Sequence, residues 1–499
     1  MPGRKLPDKV ARVNPPDWIG VLSRQLLRQL VLIGGILLAA AGPARAAEPA
    51  PPADEAIARA LSRALEARAL RGARVGALVV DDADGRVVFE RGADQPLVPA
   101  SNLKVLTALA ALRVFGPAHV FKTAVFANAA PDADGAVDTL YVRGGGDPGL
   151  TSEDYWRLAA DLHKTGLRRV RGDIAVDDSL FDGERWHASW LPTTARAYHA
   201  PVGALMANYG AYAVEVAGGD RNGDPVRVAV DPPIPFFRVA NQARTGKGRR
   251  LVVDRRAVDG GEEVVVGGSW PRGATRTFQR SVLDPAGYAA GVLRLQLQSL
   301  GIEVKGGVRR AYVPDGAHEL IAFQGRPLSD VVRRFLKFSN NLIGEALIKS
   351  LSTSADGAPG SWKGGTAVVR RELDTLGLPT AGLVQVDGSG LSYEDRASPR
   401  LLVAALRAAS HSFHYGAEFV ASLPIGATDG TLQHRAERAG AELRAKTGLL
   451  TRVSSLSGLA RRADGRTLVF SVLVNGFRGG ADEAIDAMDG FAAALVEAR

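Results

Sequence analysis

The sequence predicts an α+β fold: one antiparallel sheet built from both ends of the chain, flanked by helices, with a β-rich region inserted between the two halves. Three observations carry this. Strand and helix patterns occur at both ends. Short strands rich in Gly, Asp and Pro fill the middle, and long helical patterns resume before the C-terminal strands. Two ends that each offer strands and a helix bury their apolar faces most economically in a shared sheet.

The chain has 499 residues, with hydrophobic residues at 46% and charged residues at 23%, the balance of a globular protein of more than one domain. Cys is 0, which excludes disulfides, thiolate metal sites, iron–sulfur clusters and a cysteine nucleophile. The net charge of +9 invites a nucleic-acid reading. Yet Arg4, Lys5, Lys9, Arg12, Arg24, Arg28 and Arg45 stand against only Asp8 and Asp17 before residue 47, so most of that excess belongs to one N-terminal segment. That segment continues with an apolar run, Leu30 to Ala41, too short to span a bilayer, and small residues through Ala47. This order predicts an export signal over 1–46, cleaved after Ala46 or Ala47, and a periplasmic product. Residues 47–53, rich in Pro and Ala, read as a stiff linker. No nucleic-acid partner is expected, and at most peripheral membrane contact.

The first element after the linker is a helix over Asp54 to Leu70, with Ile57, Leu61, Leu65 and Leu70 on or near one stripe. Val75 to Val80 and Arg86 to Phe89 read as strands joined through Asp84-Gly85, a hairpin turn. Ser101 to Phe115 is an apolar helix closed by Gly116-Pro117. From Lys122 to Val313 come the short strands of the insertion, among them Thr139 to Val142, Gly172 to Val176, Val226 to Val230, Leu251 to Val253 and Glu263 to Val266. Helices are expected at Leu328 to Phe338, Asn341 to Ser350, Trp362 to Leu376 and Pro399 to Ala409, the last with Ser398 as N-cap and Pro399 at N1. Strands at Glu442 to Lys446, Ser454 to Ala460 and Thr467 to Val474, then a helix from Ala481 to Glu497, close the chain.

Three short motifs carry chemistry. Ser101-Asn-Leu-Lys104 is the only S-x-x-K in the sequence and opens an apolar helix. Residues three apart share a helix face, so Lys104 stands beside Ser101, and a lysine whose proton affinity is lowered can activate a serine. Ser339-Asn-Asn341 falls in a short inter-helix loop, where a hydroxyl can relay a proton and an amide can hold a carbonyl. Lys446-Thr447-Gly448 sits on a predicted strand, where a cation and a hydroxyl bind a carboxylate and the glycine lets a substrate backbone approach. A second K-T-G, Lys164-Thr-Gly166, ends the helical segment Ser152 to His163 and precedes Ser339, the wrong order. Each motif has a bland reading, a cap or a turn; the order S-x-x-K, S-x-N, K-T-G is far more specific.

In that order the chain resembles the penicillin-recognising serine acyl-transfer enzymes, which include penicillin-binding proteins and serine β-lactamases. The whole β-rich middle separates Ser101 from Ser339. That spacing resembles the D-alanyl-D-alanine carboxypeptidase/endopeptidase family, the low-molecular-mass class C penicillin-binding proteins. Gly145-Gly-Asp-Pro148, Gly172-Asp-Ile174, Tyr198 to Ala204, Asp387 to Ser392 and Leu423 to Leu432 look like that family too, and are counted as turn chemistry supporting it, not as sites. The resemblance implies a β-lactamase-like transpeptidase domain over 54–121 and 314–499. It implies two inserted β-rich domains, one over 122–211 and 285–313, the other over 212–284. It implies Ser101 as nucleophile, Lys104 as base and Ser339 as proton relay. Asn341, Lys446, Thr447, Gly448 and Leu449 would bind substrate, with the backbone N–H groups of Ser101 and Leu449 as oxyanion hole. The expected partners are peptidoglycan stem peptides, with β-lactams as inhibitors; no cofactor or metal is expected. Leu449 stands where that family usually has Thr or Ser, which removes a second hydroxyl for the substrate carboxylate. The competing readings are a serine β-lactamase, against which the large insertion speaks, a Ser-His-Asp hydrolase, for which no G-x-S-x-G is present, and a catalytically silent wall-binding protein.

Overall fold

The computed structural model describes residues 53–356 and 359–497. The expected export signal and linker residues 47–52 lie outside the described residues. No helix among the described residues is long and apolar enough to cross a membrane.

The elements that frame the site come from both ends of the chain. They are helix α1 (Ala53–Leu65), strands β1 (Arg74–Asp81) and β2 (Val87–Arg91), and helix α2 (Lys104–Phe115). After the insertion come helices α3 (Leu328–Lys337), α4 (Asn341–Asp356), α5 (Trp362–Thr375) and α6 (Pro399–Ser410), strands β3 (Leu443–Leu450), β4 (Val453–Arg461) and β5 (Thr467–Asn475), and helix α7 (Ala481–Glu497). The strands form one antiparallel sheet in the order β3-β4-β5-β1-β2, so both ends do share a sheet, and β3 is an edge. Strand β5, Thr-Leu-Val-Phe-Ser-Val-Leu-Val-Asn, is buried almost throughout because helices cover both faces of the sheet. Helices α1 and α7 pack Ile57, Leu61, Met488 and Phe491 on one face. Helix α2 lies on the other, its residues Lys104 to Leu112 all buried and ringed by α3, α4, α5 and α6. A helix enclosed on all sides reads as apolar all round, as the run Val-Leu-Thr-Ala-Leu-Ala-Ala-Leu does.

The inserted region holds four further sheets. A five-stranded one runs Val308–Arg310, Ile174–Asp177, Leu140–Arg143, Val120–Ala127, His318–Pro327, and a small parallel one pairs Glu303–Val304, Arg169–Val170 and Ala136–Val137. Two more lie between residues 211 and 281 and share one apolar core with the five-stranded sheet and the helices Ser152–Lys164 and Pro285–Ser299.

Several local expectations shift. The first helix stops at Leu65 and only a 3-10 turn, Arg68–Leu70, follows. Ser101 lies in a 3-10 turn, Ala100–Leu103, and the α-helix starts at Lys104. The strand His318–Pro327 pairs with Val120–Ala127 in the inserted sheet, so the boundary drawn at 314 places it on the wrong side. No strand is expected there from the sequence: the run Leu-Ile-Ala-Phe has no alternation to mark one, and its partner is remote in the chain. In the other direction, Phe181, Trp190, Val202 and Met206, which fall inside the insertion by sequence, pack into the core around α2.

Candidate active site

Ser101 and Lys104 are placed by a tight entry into α2. Ala100 has φ 47°, a left-handed conformation that a residue with a Cβ adopts at a cost, and one that clusters at functional sites. Its carbonyl is gripped by Gly390, where an added Cβ would stand 2.0 Å from that oxygen. Three residues after Ser101, Lys104 is 0% exposed. Its Nζ donates to Ser101 Oγ at 2.9 Å, to Asn341 Oδ1 at 2.8 Å and to the Ser389 carbonyl at 2.6 Å. Burial pulls its pKa down to about 7, against the opposing pull of Asp387, Glu345 and Asp395.

The second motif divides. Asn341, at the start of α4, joins the site directly: Oδ1 accepts from Lys104, and Nδ2 donates to the Tyr198 carbonyl at 3.0 Å. Ser339 has φ 56° and no hydrogen bond to either Ser101 or Lys104. It is half-buried and lines an adjoining cavity of about 650 Å³ with Phe338, Asn340, Asn341 and Tyr198.

The third motif lies on the edge strand β3. Lys446 is 0% exposed, and burial, with Lys104 and Arg435 nearby, holds its pKa well below the usual lysine range. Its Nζ donates to the Thr447 carbonyl at 2.7 Å. The Thr447 hydroxyl is 2.7 Å from that of Thr431, a residue outside the motif. Gly448 brings the strand against the nucleophile: a Cβ there would meet Ser455 Oγ at 2.2 Å and the Ser101 backbone nitrogen at 3.0 Å. Leu449 is 47% exposed and faces the cleft. The other K-T-G is a helix end: the helix stops at Lys164, Thr165 is the C-cap, and Gly166 has φ 92°.

The cleft measures about 740 Å³ and is lined by, among others, Ser101, Trp190, Arg196, Tyr198, Tyr393 and Leu449. Three segments that looked like turn chemistry supply part of the site. Tyr198 offers its carbonyl to Asn341, Ser389 offers its carbonyl to Lys104, and Thr431 sits on Thr447. Sequence reasoning also missed Glu345 on α4, which lies 1% exposed near Lys104 with its pKa pushed up by burial and by Asp387. Only its spacing of four from Asn341, one helical turn, hinted at a shared face. Together these groups can deprotonate a serine, receive an anion at a cation–hydroxyl pair, and present backbone N–H groups to a developing charge.

Residues 57–495 match the D-Ala-D-Ala carboxypeptidase 3 (S13) family. A D-alanyl-D-alanine carboxypeptidase from an Actinomadura species is 38% identical over 453 residues, covering 87% of this chain and 83% of that protein. The D-alanyl-D-alanine carboxypeptidase DacB of Haemophilus influenzae is 26% identical over 416 residues, 82% of this chain and 87% of the relative. Among solved structures, penicillin binding protein 4 of H. influenzae superposes with a TM-score of 0.75 at 24% identity, covering 87% of this chain and 98% of that one.

Proposed function

Because this chain belongs to the D-Ala-D-Ala carboxypeptidase 3 (S13) family, we propose that it is an exported serine DD-peptidase working through an acyl-enzyme on Ser101. The observation that carries the reading is the Lys104 contact set. A neutral amine has two N–H bonds and one lone pair. Asn341 Oδ1 and the Ser389 carbonyl take the two N–H bonds, which leaves the lone pair for the Ser101 hydroxyl at 2.9 Å.

The Ser101 proton moves to Lys104 Nζ as Oγ attacks the carbonyl carbon of the penultimate D-alanine. The carbonyl oxygen becomes an oxyanion facing the N–H groups of Ser101 and Leu449. Two features support Leu449. The Ala445 N–H donates to the Pro424 carbonyl and not to β4, and alternation along an unbroken strand register turns the Leu449 N–H the same way. Leu449 also lines the cleft beside Ser101. Each such donor is typically worth ~3–4 kcal/mol in the transition state. The C–N bond then breaks as the leaving amine takes the proton that Lys104 holds, relayed by Ser339 in the role the family resemblance implies although its hydroxyl does not touch Lys104 before substrate binds, and an ester on Ser101 remains. Water adds to that ester with Lys104 again as base, releasing the shortened peptide and restoring the serine. Lys446 with Thr447 receives the substrate carboxylate.

The leaving group is either terminal D-alanine or the D-centre of a cross-linked neighbouring stem, and a β-lactam acylates Ser101 and stalls before hydrolysis. Export rests on the basic and apolar segment before Ala47. Labelling with a fluorescent penicillin tests the reading. The wild type takes one covalent label and Ser101→Ala takes none; an unlabelled wild type overturns it.

A further inference from the structure

Around Lys104 lies a group of buried acids that the reaction as described does not use. Asp387 and Asp395 are 0% exposed and Glu345 is 1% exposed. A buried carboxylate is costly unless donors face it, so its donors show what it holds in place. Asp387 Oδ1 accepts the N–H groups of Ser389 at 3.0 Å and Gly390 at 2.6 Å. Its Oδ2 accepts the Ser392 N–H and the Trp190 indole N–H, each at 2.9 Å. Glu345 Oε2 accepts the Gly388 N–H at 2.9 Å and the Trp362 indole N–H at 2.7 Å. Asp395 Oδ1 accepts the Val386 N–H at 2.8 Å. Three acids therefore bind five N–H groups of a single loop, those of Val386, Gly388, Ser389, Gly390 and Ser392, and that loop delivers the Ser389 carbonyl to Lys104. The loop has no slack: a Cβ at Gly388 would stand 2.2 Å from the Gly344 carbonyl oxygen.

The two indoles come from different places. Trp362 opens α5, whereas Trp190 belongs to the inserted region by sequence. Their rings meet edge to face at 5.8 Å, and Lys349 Nζ lies 3.9 Å from the Trp362 ring centroid while pairing with Asp182 of the insertion.

We infer that Asp387 and Glu345, each held by an indole donor, are positioning residues for Lys104, so that the inserted region, through Trp190, helps to aim the catalytic base. The inference rests on the reading of Lys104 as base. The direction of its lone pair depends on where its two N–H bonds go, and one of their two acceptors, the Ser389 carbonyl, stands only where these carboxylates hold the loop. The titratable groups facing Lys104 are Asp387, Glu345 and Asp395, which favour its protonated form when ionised, and Lys446, which opposes it when protonated; burial pushes Glu345 and Asp395 up and Lys446 down, against their charged forms.

The test is the rate of acylation by a fluorescent penicillin from pH 5.5 to 9.5, with end-point labelling to count competent molecules. Trp190→Phe keeps the ring and loses the donor; its plateau rate falls about tenfold with the label reaching completion. Glu345→Gln keeps an oxygen for both N–H groups and stays within about threefold of wild type, while Glu345→Ala leaves both orphaned and falls about thirtyfold. Asp387→Asn lowers the plateau and moves the acid limb to lower pH, because one anion favouring the protonated lysine is gone. The inference is overturned if the variants share the wild-type plateau and limb, or if they lose only labelled fraction at an unchanged rate, the mark of a purely structural role. A wild type that takes no label overturns the acyl-enzyme reading itself and this inference with it.

Discussion

The tripeptide Lys-Thr-Gly occurs twice, and the two copies do unlike things. Lys164-Thr-Gly166 ends a helix: Lys164 reaches Asp161 at 2.8 Å with its side chain 75% exposed, and Gly166 supplies the positive φ that a helix end requires. Lys446-Thr-Gly448 lies on an edge strand beside the nucleophile, its lysine fully buried. Identical residues form a helix cap in one place and, on the proposed reading, an anion site in the other. The difference comes from what each is packed against: solvent screens the charge at Lys164, whereas burial at Lys446 disfavours a lone ammonium, which an arriving carboxylate would stabilise.

The largest expected effect belongs to the serine beside the second copy. Ser101→Ala should cut D-Ala-D-Ala hydrolysis by at least about a thousandfold, measured as released D-alanine, with the melting temperature little changed. The comparison itself breaks or holds on the paired lysines. Lys446→Ala should lower kcat/KM for a D-Ala-D-Ala peptide by roughly tenfold to a hundredfold, the worth of a hydrogen bond to a charged group. Lys164→Ala should leave kcat/KM at the wild-type value and stability within ~0.5 kcal/mol. Equal losses from both would remove the distinction drawn here.

The glycines sharpen it further. Gly448→Ala places a methyl against the Ser101 nitrogen and should slow acylation about tenfold or more. Gly166→Ala meets no atom within 4 Å but keeps a φ of +92°, so it should cost about 1 kcal/mol in denaturant unfolding and nothing in acylation.

Lys104 sets the pH dependence. On the proposed reading its neutral form is the base, and burial lowers its pKa to about 7. The acylation rate should therefore rise with pH through that value and fall about tenfold for each unit below it; a rate flat from pH 5 to 8 would exclude Lys104 as base. The smallest effect is at Leu449. Leu449→Thr adds a hydroxyl near Thr447 and should raise the preference for a free carboxylate over its amide by about threefold, read from the ratio of kcat/KM values.

Much of this could be read from the residues. The shared sheet, the enclosed helix α2 and the order of the three motifs are local patterns of period, turn chemistry and spacing. The Lys104–Ser101 contact follows from a separation of three, even though the turn is 3-10 and not α-helical. The Ser398 cap holds as read, its side chain accepting from the Leu401 N–H at 3.1 Å. What could not be read was pairing at a distance. The strand His318–Pro327 lacks the alternation that would mark it, and its partner is remote in the chain. Tyr198, Trp190, Ser389 and Thr431 sit in Gly-, Asp- and Pro-rich segments whose composition says only that the chain turns.

By itself, then, the sequence determined the α+β class, the family and the residues with intrinsic reactivity, because these depend on side-chain type and near neighbours along the chain. The tertiary structure alone decided which carbonyl completes the lysine's contacts. It also decided that Trp190, from an inserted segment, bonds the carboxylate of the loop that meets Lys104. Those outcomes depend on burial and on contacts between residues hundreds apart, and a residue's charge state and hydrogen-bond partners are fixed by what surrounds it in space.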